Sequence, residues 1–295
     1  MSFSSDVKTE LAELREERAC CRTAEAYGMA EFGHAFSSFG VSLQTENETV
    51  ARLYAELLGE SGQASLAITE GKGLCTAAAA GPDDRLRILS RFGHAPTDVG
   101  VRLNRANLEC DQCPAAFVRG AFLSCGTVTN PEADYHLEFS VPYLNLSRDL
   151  ITLLGELGLS AKQARRGGSY VVYFKESESI EDCLTLMGAT AAALELMSVK
   201  MIKDIRNKAN RVTNCESANI DKTVAAAAKQ NEAVRKIERT VGLEALPEEL
   251  QELARLRLEN PDLSLRELGE ALDRPLTRSG VNHRLRRILE FAEKL

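Results

Sequence analysis

The chain has 295 residues, room for two domains with a core each, and its 44% hydrophobic and 27% charged content is ordinary for a globular protein. No apolar run approaches the roughly 20 residues of a membrane-spanning helix, and Met1-Ser2-Phe3-Ser4-Ser5-Asp6-Val7-Lys8 has no basic segment followed by an apolar one. Neither a membrane anchor nor export is expected, and the net charge of −7 excludes a uniformly basic protein, so any attraction for polyanions has to be local.

Ser5-Asp6 ahead of Val7-Lys8-Thr9-Glu10-Leu11 reads as the capped start of a first helix. The region beyond this helix is duplicated. Cys21 precedes Gly28 by seven residues in a small-residue helix, and Cys113 precedes Gly120 by seven in another. Each helix runs into an alternating, strand-like stretch, Ala35 to Leu43 and then Tyr135 to Val141. A helix follows in each copy, ending Leu57-Leu58-Gly59-Glu60 and Leu153-Leu154-Gly155-Glu156. Two more strands (Ala64 to Ile68 and Leu74 to Ala79; Ala161 to Arg165 and Tyr170 to Phe174) and a last helix (Asp83 to Phe92; Ile180 to Met187) complete each copy. Ala26, Gly28, Ala30, Gly120, Ala121 and Ser124 would let two helix backbones approach closely, as at the pseudo-twofold axis of a single-chain dimer. Small residues also suit any buried helix, but burial alone does not explain the shared order of elements.

Eight cysteines without an export signal suggest reduced thiols in the cytoplasm. Cys110-Asp111-Gln112-Cys113 has the spacing of half a zinc site, which Cys20-Cys21 could complete. With no second spaced pair and four scattered histidines, small buried thiols are the expectation, with no metal and no cofactor. On the strands, Lys162, Arg165, Arg166 and Lys175 offer positive charge in the second copy. The first copy offers Lys72 among Glu46, Glu48 and Glu70, so these cations read equally as a solvated face.

A helix over Ala191 to Arg211 then leaves the duplicated region, its end marked by Lys200, Lys203, Arg206, Lys208 and Arg211 against Asp204. Asn207, Asn210, Asn214 and Asn219 suggest a turn before a second helix, Lys222 to Arg239. Lys203, Arg206, Lys208 and Arg211 are candidate auxiliary contacts to phosphates. Pro247-Glu248-Glu249 opens the next helix, acidic where the helix dipole is positive, and Asn260-Pro261 closes it. Ser264 with Glu267 forms a capping box ahead of Leu265, Leu268 and Leu272, and Pro275 stops that helix. Thr277 caps a last helix in which Val281, Leu285, Ile288 and Leu289 recur as a buried stripe. This is the pattern of a helix-turn-helix. From Arg274 to Leu295 there are six Lys or Arg against two Glu. Arg274, Arg284 and Arg287 are candidates for phosphate contact, Arg278, Asn282 and Arg286 for base contact, with Ser264, Arg266, Thr277, Ser279, Gly280 and His283 beside them.

Arg119-Gly120-Ala121-Phe122-Leu123-Ser124-Cys125-Gly126 resembles a degenerate LAGLIDADG motif, and Tyr27-Gly28-Met29-Ala30-Glu31-Phe32-Gly33-His34 a more eroded one. With Ser2 to Lys8 at the start, Asn210-Arg211-Val212-Thr213-Asn214-Cys215-Glu216-Ser217-Ala218-Asn219 in the linker and Ser279-Gly280-Val281-Asn282-His283-Arg284-Leu285 near the end, the whole chain resembles the bacterial WhiA family. The resemblance implies an α+β protein: a duplicated LAGLIDADG-like domain at 1–205 (halves about 1–105 and 106–205) with saddle-shaped sheets, a helical linker at 206–245, and an all-α helix-turn-helix domain at 246–295. Homing endonucleases of this fold use an acid at the penultimate motif position of each half to hold divalent metal against the scissile phosphates. The matching positions here are Gly33 and Cys125, neither a hard oxygen ligand, so no catalytic residues and no cleavage are expected.

The expectation is a DNA-binding regulator, cytoplasmic and nucleoid-associated, whose partner is double-stranded DNA. The resemblance further implies a role in cell division, chromosome segregation or, in some relatives, sporulation. Two other readings stay open: a scaffold gripping RNA polymerase or a division factor, and a residual metal-dependent nuclease.

Overall fold

The computed structural model describes residues 2–71, 73–98 and 100–295. Lys72, the cation expected in the first copy, lies outside them. Helix α1 (Phe3–Glu13) starts earlier than Ser5-Asp6 suggests, because burying Phe3 with Val7 and Leu11 draws in one more turn, and Ser2 caps it by accepting from the Ser5 N–H.

The first copy consists of α2 (Ala19–Glu31), β1 (Ala35–Ser37), β2 (Gly40–Thr45), α3 (Glu48–Gly62), β3 (Leu66–Gly71), β4 (Leu74–Ala79) and α4 (Pro82–Arg91). The second repeats it as α5 (Cys113–Cys125), β5 (Gly126–Val128), β6 (Leu137–Val141), α6 (Leu144–Glu156), β7 (Lys162–Arg166), β8 (Ser169–Phe174) and α7 (Ser177–Met187). The two antiparallel sheets have matching strand orders, β1-β2-β4-β3 and β5-β6-β8-β7. One expectation is corrected. The stretch Ala35 to Leu43 is a hairpin, with Ser37 opposite Gly40, and β5 has no counterpart among the strands expected from the sequence. Three-residue strands are too short to show alternation.

The copies meet through α2 and α5. A Cβ on Gly28 would lie 2.2 Å from Phe117 O, and one on Gly120 would lie 2.2 Å from Glu25 O. Each glycine thus receives a carbonyl of the opposite helix, the close approach that the small residues predict. Beside this crossing the buried Arg119 donates from Nε and Nη2 to the Glu25 carboxylate at 2.9 and 2.8 Å, from Nη2 to Glu16 at 2.7 Å and from Nη1 to Met187 O. A buried ion pair is tolerable only when satisfied in this way.

The chain divides into two compact units after Lys203. Helix α8 (Thr190–Thr240) is continuous, so the turn expected at the asparagines is absent. Asn costs an interior helical position only about 0.7 kcal/mol at most. Thr190–Thr240 contains no Gly or Pro, the residues that break helices decisively.

In the second unit α8 is followed by α9 (Glu248–Glu259), α10 (Leu265–Ala271) and α11 (Arg278–Glu293). Its core gathers Leu250, Leu253, Leu268, Val281, Leu285 and Ile288. Val234, Ile237 and Leu243, expected in a linker, belong to the same core. Lys236 of α8 donates to Ala292 O at 2.9 Å, a cation on the negative end of α11.

Candidate nucleic-acid interface

Helices α9, α10 and α11 form the helix-turn-helix. Ser264 accepts from the Glu267 N–H at 3.3 Å while the Glu267 carboxylate accepts from the Ser264 N–H at 2.8 Å, completing the capping box. These bonds hold the Glu267 carboxyl below the usual carboxylate range. Thr277 caps α11 by accepting from the Gly280 N–H at 3.3 Å. The connection is tight because Gly269 lets Leu276 O approach: a Cβ there would lie 2.3 Å from that oxygen.

Opposite the buried stripe of α11, Ser279, His283 and Arg286 are exposed, as are Arg278 and Asn282 on one flank. Among the described residues the side chains of Arg274, Arg278, Asn282 and Arg286 have no hydrogen-bond or ionic partner, while His283 lies within the field of the Glu249 carboxylate. The other flank differs. Arg284 donates to Glu249 O at 3.0 Å and Arg287 pairs with the Glu249 carboxylate, so these two phosphate candidates are tied to the start of α9. Arg266 is paired with Glu270 at 2.9 Å but remains exposed.

A groove of about 510 Å³ runs beside the Arg278 flank, lined by Lys222 and Gln230 of α8, Arg257, Ser264, Arg266, Arg278 and Asn282 among others. Sequence reasoning passed over Lys222 and Arg257. Arg257 follows Leu250, Leu253 and Ala254 on the buried stripe of α9, a spacing that could have revealed it. Its Nη1 donates to Leu263 O at 2.7 Å and Pro261 O at 3.3 Å, pinning the loop that leads to the capping box. Its Nε is buried with no partner among the described residues, and burial pushes the guanidinium below its usual pKa.

Of the auxiliary candidates, Lys203 is engaged in the first unit, donating to Pro131 O at 2.7 Å with its ammonium 4.9 Å from the Tyr135 ring centre. Arg206, Lys208 and Arg211 are exposed on α8. Strand β7 is fully exposed, but Lys162 faces Glu176 at 3.6 Å and Arg166 faces Glu138 at 3.0 Å, while Lys175 lies over Tyr173. In the first copy Glu46, Glu48 and Glu70 line a common hollow.

At the ends of the paired helices, a Cβ on Gly33 would lie 2.7 Å from Ser42 O, 3.1 Å from Ala30 O and 3.2 Å from Met29 O. Cys125 ends α5, and burial pushes its thiol up to about 12. Glu31, the acid nearest Gly33, is 2% exposed and accepts from the Tyr27 hydroxyl at 2.9 Å; burial raises its carboxyl to about 8.

Two pseudo-symmetric sheets packed on a pair of small-residue helices, with a helix-turn-helix after them, define a LAGLIDADG-like domain joined to a DNA-binding-type domain. Residues 114–206 match the model of the WhiA LAGLIDADG-like domain and 209–292 that of the WhiA C-terminal HTH domain. The chain is 37% identical to a "Probable cell division protein WhiA" from Clostridium botulinum, covering 100% of this chain and 99% of that one. It is 38% identical to the protein of the same name from Caldicellulosiruptor saccharolyticus, covering 100% and 96%. The chain belongs to the WhiA family. Its fold is also similar to that of full-length DUF199/WhiA from Thermatoga maritima, with a TM-score of 0.62 at 24% identity over 100% of this chain and 99% of that one.

Proposed function

We propose that this protein is a sequence-specific DNA-binding regulator acting in bacterial cell division, which holds duplex DNA against α11 and does not cut it. The observation that carries the reading is the exposed row Arg278, Asn282 and Arg286, unpartnered among the described residues, on a helix whose opposite face is locked into a core. Unpaired guanidinium and amide groups at helical spacing are what major-groove bases and flanking phosphates require. Ser264, Arg266 and Lys222 border the same groove and supply further donors to the DNA backbone. Arg206, Lys208 and Arg211 add phosphate contacts along α8. Arg284 and Arg287 serve first to fix α11 on α9, and reach DNA only while still bonded to Glu249. The names of the relatives support the division role; transcriptional control, nucleoid association and a part in chromosome segregation are the form we infer it takes.

Absence of cleavage is part of the same proposal. Gly33 has no space for an acid in this backbone, and Cys125 offers a half-buried, protonated thiol where a magnesium site needs oxygen. Fluorescence anisotropy with a pool of duplex sequences, followed by chromatin immunoprecipitation, tests the binding. Arg278→Ala, Asn282→Ala and Arg286→Ala should each weaken binding to the selected duplex by about 1–3 kcal/mol if they read bases. Unchanged affinity in all three removes α11 as the interface, and nicking of supercoiled plasmid by pure protein with Mg²⁺ or Mn²⁺ removes the claim that it does not cut.

A further inference from the structure

Four cysteines that are distant in sequence converge where the two copies meet. Cys20 and Cys21 lie in the first turn of α2, Cys113 is the first residue of α5, and Cys110 sits in the turn before it. All four are free thiols, and their sulfurs lie within 4.8 Å of one another. Cys110 Sγ is 3.6 Å from Cys20 Sγ, 3.6 Å from Cys21 Sγ and 3.4 Å from Cys113 Sγ, and Cys21 to Cys113 is 4.0 Å. One zinc ion with four thiolates at about 2.3 Å requires sulfurs about 3.8 Å apart, so these separations bracket the tetrahedral value.

We propose that Cys20, Cys21, Cys110 and Cys113 form a structural zinc site that clips the first copy of the fold to the second. The surroundings favour an anionic centre over a cluster of apolar thiols. Four thiolates around Zn²⁺ carry a net charge of about −2, and α2 and α5 both direct their N-terminal, positive ends at the site. The Arg18 guanidinium adds positive charge, with Nη1 3.9 Å from Cys110 Sγ, and the Cys110 N–H donates to Cys113 Sγ at 3.5 Å. Cys21 and Cys113 are buried while Cys20 and Cys110 are half-buried, which leaves a path for the ion. An iron–sulfur cluster fits less well, because it distributes its cysteines over several irons and spreads their sulfurs further apart than these. Four ligands from the protein leave no open position, so the role is structural. The sequence offers these same four cysteines as a zinc set but favours small buried thiols, because Cys20-Cys21 is not a spaced pair. Adjacent cysteines on a helix can both reach one ion when another helix start brings the C-x-x-C beside them.

The test is metal analysis of the full-length protein, purified reduced and without chelator. One zinc per chain is expected. Cys110→Ser and Cys20→Ser should lose it, while Cys215→Ser, which alters the exposed cysteine of α8, should keep it. Should the site variants fail to fold, the wild type still decides: protein stripped by chelator and given Co²⁺ should show the charge-transfer and ligand-field bands of a tetrahedral thiolate site. Stripped, reduced protein that takes up neither Zn²⁺ nor Co²⁺ overturns the proposal. So does a Cys110 disulfide to Cys21 or Cys113 in freshly isolated material, metal lost equally in Cys215→Ser, or one iron in place of zinc.

Discussion

Gly33 stands where the motif resemblance puts the first cleavage acid, and the carbonyls of Ser42, Ala30 and Met29 close in on the place a side chain would take. Restoring an acid there meets backbone, which cannot swing aside as a flexible side chain can. Gly33→Asp should therefore lower stability by about 1–3 kcal/mol and confer no plasmid nicking, read by thermal melting and gel assay. Two residues earlier, Glu31 makes a separate prediction. Its carboxyl is raised from the ordinary 4.5 to about 8 by burial, so between those pH values the folded protein keeps a proton that the unfolded chain has released. Its contribution to stability is fully present below pH 4.5, declines as pH rises toward 8 and changes no further above that. The slope from this residue cannot exceed about 1.4 kcal/mol per pH unit. Glu31→Gln should flatten denaturant-derived stability across that window, and an unaltered slope would assign the pH dependence elsewhere.

Among the elements, α11 offers the sharpest test of how DNA is approached. A Cβ on Gly280 would meet only Thr277 and Leu276, at 3.6 Å or more, so packing within the protein does not require glycine there. Gly280→Ala should raise the stability of the second unit by about 1 kcal/mol through helix propensity. If DNA docks on the start of α11 as proposed, its duplex affinity should nevertheless fall, because the added methyl group would stand between the backbone and the phosphates. Stabilisation without loss of binding would move the DNA away from the start of α11. The elements also show where sequence patterns inform and where they do not. Capping residues and apolar stripes placed α9, α10 and α11 closely, since each signal is local. The hairpin β1–β2 and strand β5 were not legible, because they take their order from pairing with β4 and β6 and not from their own alternation. The asparagines of α8 misled because a turn residue permits a turn without enforcing one. Arg257 and the four thiols depend on contacts between segments that no single periodicity connects.

For the molecule as a whole, the distribution of charge sets the binding regime. A chain of net charge −7 that binds polyanionic DNA must do so through a small cationic area, and each phosphate neutralised releases counterions. Duplex affinity should fall steeply with salt. Arg206→Ala, Lys208→Ala and Arg211→Ala should each reduce the log–log slope by about 1 while leaving sequence preference intact. A slope that does not change places those residues of α8 off the DNA. The acidic hollow at Glu46, Glu48 and Glu70 and the pairing of Lys162 and Arg166 of β7 with Glu176 and Glu138 agree with DNA being held through the second unit.

The interlocked helices α2 and α5 carry a consequence for how such a protein can change. Gly28 houses a carbonyl of α5 and Gly120 houses one of α2, so a methyl group gained by either copy obstructs its twin. A tolerated substitution at this crossing therefore has to be answered on the other side, which makes the pair a single heritable unit.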